Sequence, residues 1–542
     1  MKSNLKILFL PLLALAISSC SPSPYAGDEG QNIKLVRDTN ENYVFDETAT
    51  NVNGSMSYEL FVRSFYDADG NGTGDFLGVK EKIPYLASLG IKTVWLMPIC
   101  PSPTYHGYDI RNYFAVNSEF GTLADFDSMI TTANEHHIDI MIDMVFNHCS
   151  KLNPYFRESY EDFINNNTDP DSKKDWFNWS YTTGDYKYGD LYYEARFDAS
   201  MPDFNLDSEG VRNEIEDICK FWIEDHGVKG FRLDAVLYYY YNNTTKNVEF
   251  LSWLDGVCKS YNPDFYMVGE CWSSDATVNS YHKSTVESFF RFGNASGGDD
   301  SIINMSKGYG DAKSFLKTIE NNERKIKSNN PKGYSSYFLS NHDQDRISKN
   351  YVEELQNKVG ASIYCLLPGT PFMYYGEEIQ LVGKRNTSPD DMSDVRRRLP
   401  MVWSKNDKTG ECKFPEAGRK DLDTTVQVEL GVEDKLNTNY SLLNHYKKVI
   451  NVRNKYSFIK NGVFKSMYKE LGISDNSLLA YKITSSTNSD DYIIVVHNLT
   501  GQNLEVPALG SEILDTINTS QRIPELTETS LKIGRYSTVI LK

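Results

Sequence analysis

No stretch of this chain reaches the ~20 consecutive apolar residues that a membrane-spanning helix needs. The apolar run nearest the start, Ile7 to Ile17, is 11 residues long and follows Lys2 and Lys6, which reads as the core of a secretory signal. Cysteine is sparse and unpatterned: besides Cys20 there is an odd set of seven, Cys100, Cys149, Cys219, Cys258, Cys271, Cys365 and Cys412. Without CxxC pairs or zinc-type spacing, a disulfide framework and a zinc site are both excluded as organising features, and buried free thiols are expected. Positive charge is in deficit, with 56 Lys and Arg against 74 Asp and Glu for a net charge of −18. That balance excludes nucleic acid as a natural partner, since a polyanion is repelled over most of the surface. Low-complexity tracts and internal repeats are absent as well.

What is present is the composition of a folded protein, with 40% hydrophobic and 24% charged residues. At 542 residues it is too long for one small core, so a large domain with appendages is expected. The signal-like segment ends in Ile-Ser-Ser-Cys, which resembles a bacterial lipobox and implies cleavage before Cys20 with lipid attached there. Residues 1–20 are thus a lipoprotein signal peptide, and 21–50, with SPSP and scattered glycines, a tether. The expected setting is an exported protein, anchored to the bacterial cell envelope by lipid and probing its surroundings as a monomer.

From residue 56 short β-rich runs alternate with longer helical ones, as parallel α/β construction requires. Eight candidate strands are MSYELFV (56–62), TVWLMP (93–98), DIMIDMVF (139–146), GVKGFRLDAV (227–236), FYMVGE (265–270), SFFRF (288–292), SSYFLS (335–340) and PFMYY (371–375). Between them lie amphipathic stretches such as EGVRNEIEDICKFWIEDHG, with Val211, Ile215, Ile218 and Trp222 at helical spacing. The pattern predicts a (β/α)8 TIM barrel over 51–455, interrupted after strand three by a subdomain at about 149–205. Residues 456–542 read as a C-terminal antiparallel β-sandwich.

Chemistry in such a barrel sits at the C-terminal strand ends. There the sequence places His148, Asp234, Glu270, and His342 with Asp343. Any one acid at a strand end is usually a cap or turn residue. Three converging on one mouth repel one another and destabilise the fold unless they serve a function. Arg232 and Asp234 are two residues apart, so the guanidinium can hold its neighbour ionised. Glu270 lies between an apolar strand and Trp272, where desolvation would keep it protonated. An ionised and a protonated carboxyl side by side are the nucleophile and the general acid of a retaining glycosidase.

DMVFNH (143–148), GFRLDAV (230–236), VGECW (268–272) and FLSNHD (338–343) resemble, in order, the four main sequence regions of the α-amylase family, glycoside hydrolase family 13. MPDFN (201–205) resembles a fifth, and GYDIRNYFAVNSEFGTLADF (107–126) extends the likeness over roughly 56–455. The resemblance implies Asp234 as nucleophile, Glu270 as acid/base and Asp343 as the carboxylate that grips sugar hydroxyls. It further implies Arg232, His148 and His342 as hydrogen-bonding walls of the same pocket and Tyr108 as a stacking ring.

The stretch YDADGNGTGD (66–75) alternates Asp67, Asp69, Asn71 and Asp75, with the Thr73 carbonyl available, a set of hard oxygen donors that suits a structural calcium ion. Gly78 at the twelfth position rules out an EF-hand. Where many family members carry Lys-His after the nucleophile, this chain has Leu237 and Tyr238, so a second calcium site involving Asn147 is not expected. RRRLPMVW (396–403) resembles a stretch of exo-acting relatives in which its arginine, here Arg398, pairs with the Asp of GYD, here Asp109, to recognise a chain end. MPDFN points instead to α-1,4 bonds. The expected function is an α-amylase acting on starch or malto-oligosaccharides. The runner-up is an exo-acting α-glucosidase, oligo-1,6-glucosidase, cyclomaltodextrinase-like or transglycosylating enzyme, and a non-catalytic glycan-binding lipoprotein is the remote rival. The aromatics Trp176, Phe177, Trp179, Tyr192 and Tyr193 of the insertion serve equally as cleft platforms or as that subdomain's own core.

Overall fold

The computed structural model describes residues 55–295, 301–349, 353–385, 394–414, 428–471, 476–519 and 523–542. The signal segment, the tether and Cys20 lie outside these residues. Among the described residues no helix is long and apolar enough to cross a membrane.

Eight parallel strands form the central sheet: β1 (Met56–Leu60), β2 (Ile91–Leu96), β3 (Asp139–Met144), β4 (Gly230–Leu233), β5 (Tyr266–Gly269), β6 (Ser288–Phe290), β7 (Tyr334–Ser336) and β8 (Phe372–Tyr374). They lie in the order β8-β1-β2-β3-β4-β5-β6-β7, all parallel. The ring closes where Thr370 N donates to Ser335 O at 3.0 Å and Phe372 N to Tyr337 O at 2.8 Å. The eight expected strands are all present; seven are shorter than their apolar runs, and the second keeps its length but begins two residues earlier, at Ile91. The fourth ends at Leu233, so Asp234 stands one residue past the strand, although its N–H still bonds Met144 O at 3.1 Å.

Strand parity builds the barrel interior in two levels. Trp95, Met141, Val268, Phe290 and Phe372 form an apolar cluster with Phe292 and Phe338. One pleat further along come the polar residues: Asp143 follows Met141 on β3 and is paired with Arg232 on β4, which is paired with Val268 on β5, two residues before Glu270. An apolar floor thus supports a charged layer at the strand ends.

The insertion contains the helix Pro154–Ile164 and the hairpin Tyr186–Tyr188/Leu191–Tyr193. Four of its aromatics turn inward: Phe177, Trp179 and Tyr193 are buried around Phe156 with ring centroids 5.0–5.2 Å away, and Trp176 is buried against Tyr155 at 5.0 Å, whereas Tyr181, Tyr186 and Phe197 are exposed. Trp179 Nε1 donates to Ser159 Oγ at 2.8 Å. With no regular sheet to pack on, these rings are the subdomain's core.

The C-terminal region forms a five-stranded antiparallel sheet, in the order Val463–Ser466, Leu478–Thr484, Tyr492–Asn498, Thr538–Leu541, Ile513–Ile517, and a three-stranded sheet. Alternation assigns the two faces: Leu479, Tyr481, Ile483, Ile493 and Val495 join the barrel's core, whereas Ala480, Ile494 and Val496 meet Leu531 and Ile533 of the smaller sheet. All seven cysteines are free and buried.

A buried arginine ties the helix Leu442–Lys455 to the barrel. Arg453, 1% exposed, donates through Nη1 to the carbonyls of Cys365 and Leu367, through Nη2 to that of Gly369, and through Nε to Ser55 Oγ at 2.8 Å. It thereby caps the C-terminal carbonyls of the helix Glu354–Leu366, which have no partners within their own helix. Arg453→Met is therefore expected to cost about 3 kcal/mol by leaving buried acceptors unpaired, read as a lower urea midpoint at an unchanged m value.

Candidate active site

The site is organised by one guanidinium. Arg232 is 1% exposed and lies at the end of β4. Its Nη1 donates to Asp143 Oδ1 at 2.8 Å and Asp234 Oδ1 at 2.7 Å, and its Nη2 faces Glu270 Oε1 at 3.1 Å. The rings of Trp95 and Tyr108 cover it at 5.2 and 5.6 Å from their centroids. A cation this deep survives because three carboxyl groups and two π faces replace water.

The backbone places the acids as firmly. Glu270 N donates to Leu233 O at 2.9 Å, so the β4–β5 ladder continues past both strands. Ala235, next to Asp234, adopts a left-handed conformation (φ 52°), costly for a residue with a Cβ. In that position its N–H reaches Glu270 Oε2 at 2.9 Å, and Val236 N reaches Glu270 O at 3.3 Å. The strained turn is what locks Asp234 beside Glu270.

The third acid arrives from the other side of the barrel, beyond β7. His342 Nε2 lies 3.0 Å from Asp343 Oδ2 and 2.6 Å from Tyr108 Oη, while its Nδ1 meets Glu59 Oε1 at 2.6 Å. Arg398 Nη2 donates to Asp343 Oδ1 at 3.2 Å. Tyr108 Oη also donates to Asp143 Oδ2 at 3.0 Å, joining the two halves of the site, and its ring stacks on His342 at 5.7 Å.

These surroundings drive the carboxyls apart. Burial, reinforced by the charges of Asp234 and Asp343 against the pull of Arg232, raises the Glu270 pKa to about 7. Burial opposes ionisation of Asp343 too, but His342, Arg398 and Arg232 together hold it far below the usual carboxylate range. Burial alone would lower the His342 pKa, yet Asp343 and Glu59 raise it to about 9. His148 is shifted down by burial and is neutral. The result is one carboxyl poised to hold a proton among carboxylates fixed by cations, an acid/base arrangement at one mouth.

Of the residues singled out from the sequence, Asp234, Glu270, Asp343, Arg232, Tyr108, His342 and Arg398 are joined in this network. His148 stands beside it: Asn147 Nδ2 lies 3.2 Å from its Nδ1, and its buried Nε2 has no protein partner. The expected pairing of Asp109 with Arg398 is not formed. Asp109 Oδ1 accepts from Ser102 Oγ at 2.6 Å and from Thr104 Oγ1, whereas Arg398 is spent on Asp343 and the His342 carbonyl. The short local loop holds Asp109 closer to its own hydroxyls than to the arginine. Asp109 Oδ2 and Arg398 Nη1 are left buried without partners, as befits groups that meet a hydroxyl-rich ligand.

Sequence reasoning missed Glu59 and Asp143, which touch His342 and Arg232. The signal was there, an acid set among apolar residues inside a strand in each case, 1% exposed in the fold.

Away from the mouth, the loop after β1 gathers Asp67, Asp69 and Asp75, whose carboxylate oxygens lie within 4.8 Å of one another. Asp67 accepts Gly70 N and Gly72 N at 2.8 and 2.7 Å, with Gly72 at φ 103° to make the wrap. Asn71 bonds Asp69 and the Thr73 amide, and Asp75 caps the following helix, Phe76–Leu89. Among the described residues no lysine, arginine or histidine pairs with the three acids. Clustered hard oxygens lacking a protein counter-charge fit a divalent cation of the calcium type.

A barrel with this strand order and an acid beyond the C-terminal end of each of β4, β5 and β7 is the architecture of a glycoside hydrolase. The alpha-amylase catalytic domain matches residues 59–462. Alpha-amylase 3 of Dictyoglomus thermophilum is 34% identical over 505 residues, covering 90% of this chain and 93% of that protein. The oligo-1,6-glucosidase of Parageobacillus thermoglucosidasius is 27% identical, covering 82% and 89%. The solved structure of Eubacterium rectale Amy13B superposes with a TM-score of 0.81 at 33% identity, covering 91% of this chain and 96% of that one. The chain belongs to the alpha-amylase family of glycoside hydrolases.

Glu59→Gln should leave the fold intact but remove half of the charge that keeps His342 protonated. Its imidazole, followed by NMR, is expected to titrate near pH 9 in the wild type and at lower pH in the variant, with kcat/KM reduced about 10- to 100-fold.

Proposed function

We propose that this enzyme hydrolyses α-1,4-glucosidic bonds of starch or malto-oligosaccharides with retention of configuration. The observation that carries the reading is the single guanidinium of Arg232 bridging Asp234 and Glu270, with burial raising the Glu270 pKa to about 7. Carboxyls close enough to share one guanidinium suit the ~5 Å separation of a retaining enzyme better than the wider, water-containing gap of an inverting one.

In the first step Arg232 holds Asp234 Oδ1, and Oδ2 attacks the anomeric carbon. Glu270 gives its proton to the glycosidic oxygen, and the C–O bond breaks with departure of the sugar leaving group. Asp343, held ionised, stabilises the positive charge developing on the ring, and neutral His148 offers Nε2 to a ring hydroxyl. In the second step Glu270, now a carboxylate, takes a proton from water as the water attacks the same carbon and frees Asp234.

The α-1,4 preference is supported by the MPDFN segment, by the likeness to Alpha-amylase 3 and by Arg398 being turned to Asp343 instead of Asp109. The likeness to oligo-1,6-glucosidase supports the second reading, an exo-acting α-glucosidase. A product profile separates them: mixed short maltodextrins from starch, with isomaltotriose intact, are expected, and glucose alone from short substrates would favour the second. Asp234→Asn is expected to lose at least ~10³-fold in kcat, about 4 kcal/mol. Since Glu270 must be protonated, kcat/KM should fall as pH rises through about 7.

Asp67, Asp69 and Asp75, with Asn71 and Thr73, would hold a calcium ion, which supplies positive charge to a loop that carries three acids. Chelation should lower Tm, and calcium a hundredfold above its Kd should restore about 3 kcal/mol of stability. Export and lipid attachment at Cys20 complete the proposal. Cys20→Ala protein is expected in the soluble fraction, and full partition with membranes would remove lipid as the sole anchor.

A further inference from the structure

The end of the barrel opposite the acids holds a second concavity. Strands β3, β5 and β7 begin at Asp139, Tyr266 and Tyr334, and these residues, with Ser55 just before β1, line a cavity of about 600 Å³. Five lysines stand around it, Lys92, Lys229, Lys259, Lys332 and Lys460, against three acids, Asp139, Asp264 and Glu287. In a chain of net charge −18, an excess of cations gathered in one hollow runs against the overall composition.

Two of the lysines have structural work. Lys92 Nζ meets Asp139 Oδ2 at 3.2 Å and donates to the His137 carbonyl at 3.0 Å. Lys259 Nζ meets Asp255 Oδ1 at 2.9 Å and Glu287 Oε1 at 3.6 Å, in the last turn of the helix Thr244–Tyr261, where a cation also suits the terminal carbonyls. Among the described residues the ammonium groups of Lys229, Lys332 and Lys460 have neither an ion pair nor a hydrogen bond, and Asp264 is the one acid on the rim outside these pairs. Lys460 Nζ lies 4.8 and 5.9 Å from the ring centroids of Tyr334 and Tyr266, which stack on each other at 6.3 Å. Burial lowers its pKa against the pull of Glu287, so this cation is partly removed from water without an acceptor in return.

A phosphate group supplies what the hollow lacks, about −1.5 to −2 units of charge and three strong acceptor oxygens. Lysine is suited to it as a compact point charge with three donors. The cavity falls in the range of small-molecule sites, which leaves room for an organic part beside the tyrosine rings. We propose that the strand-entry end of the barrel binds a phosphate-bearing anion through Lys229, Lys332 and Lys460. Two sources share that chemistry, a soluble phosphate ester and the phosphate of a lipid headgroup. The second arises because the chain enters the described fold at Ser55, on the cavity's rim.

The test is calorimetric titration of the full-length Cys20→Ala protein with inorganic phosphate, at an ionic strength held constant with chloride. Saturable binding is expected, weakened about tenfold by each of Lys229→Met, Lys332→Met and Lys460→Met, with kcat/KM on maltoheptaose unchanged. Lys332 is exposed and Lys229 half-buried, so those two variants report even where Lys460→Met folds poorly. Lys187→Met removes an exposed lysine from the insertion's hairpin, outside the cavity, and should leave phosphate binding as it was. No phosphate binding, binding that all three cavity variants leave intact, or equal weakening by Lys187→Met would overturn the proposal. Cosedimentation of the same protein with phosphatidylglycerol vesicles, lost in the cavity variants, identifies lipid as the source. Phosphate binding that the cavity variants weaken, without cosedimentation, identifies a soluble ester.

Discussion

Burying Arg232 is the constraint around which the site is built. A guanidinium with 1% exposure at the centre of a barrel is tolerable only if its desolvation is offset by anions in good geometry. Asp143 and Asp234 supply them, the Glu270 carboxyl adds a third contact, and all three are thereby brought together. The cation makes the cluster of acids possible, and the acids make the buried cation possible. Strand parity follows from this, because Asp143, Arg232 and Glu270 must all project inward one pleat above the apolar floor of Trp95, Met141 and Val268.

The same arrangement divides the labour of the carboxyls. Asp234 shares the guanidinium with Asp143, and Asp343 meets Arg398 and a His342 that it shares with Glu59, whereas Glu270 has one longer contact to Arg232 and a backbone N–H. Burial pushes Glu270 furthest of these, to about 7, while Asp143, with its shorter contact to Arg232, rises to about 6. The strained backbone at Ala235 keeps these distances from relaxing, a local cost borne by the surrounding barrel. Glu59 plays a similar part at second hand: by sustaining charge on His342 it keeps Asp343 ionised.

Much of this was legible in the sequence. The eight strands showed as short apolar runs between amphipathic stretches, and the acids at their ends showed by position, because both depend on local periodicity and on the rule that barrel chemistry sits at the C-terminal face. What was not legible depended on contacts between distant segments. Glu59 and His342 are 283 residues apart, and the failure of Asp109 to pair with Arg398 follows from a loop that offers Ser102 and Thr104 nearer at hand. The insertion has no period to mark inside from outside, so its composition alone could not show that Trp176 and Trp179 turn inward while Phe197 turns out. In the C-terminal region, Leu478–Thr484 is apolar on both faces because that sheet is covered by the barrel on one side and by a second sheet on the other.

The mechanism requires Asp234 to be the group that bonds to the sugar. Glu270→Gln enzyme, given α-maltosyl fluoride, should accumulate a glycosyl-enzyme, because fluoride leaves without a proton while the carboxylate needed to activate water is gone. Mass spectrometry of the digested protein is predicted to find the added sugar on the peptide that contains Asp234. Sugar on a peptide carrying Asp143 or Asp343, or turnover with no labelled enzyme under rapid acid quench, would contradict it.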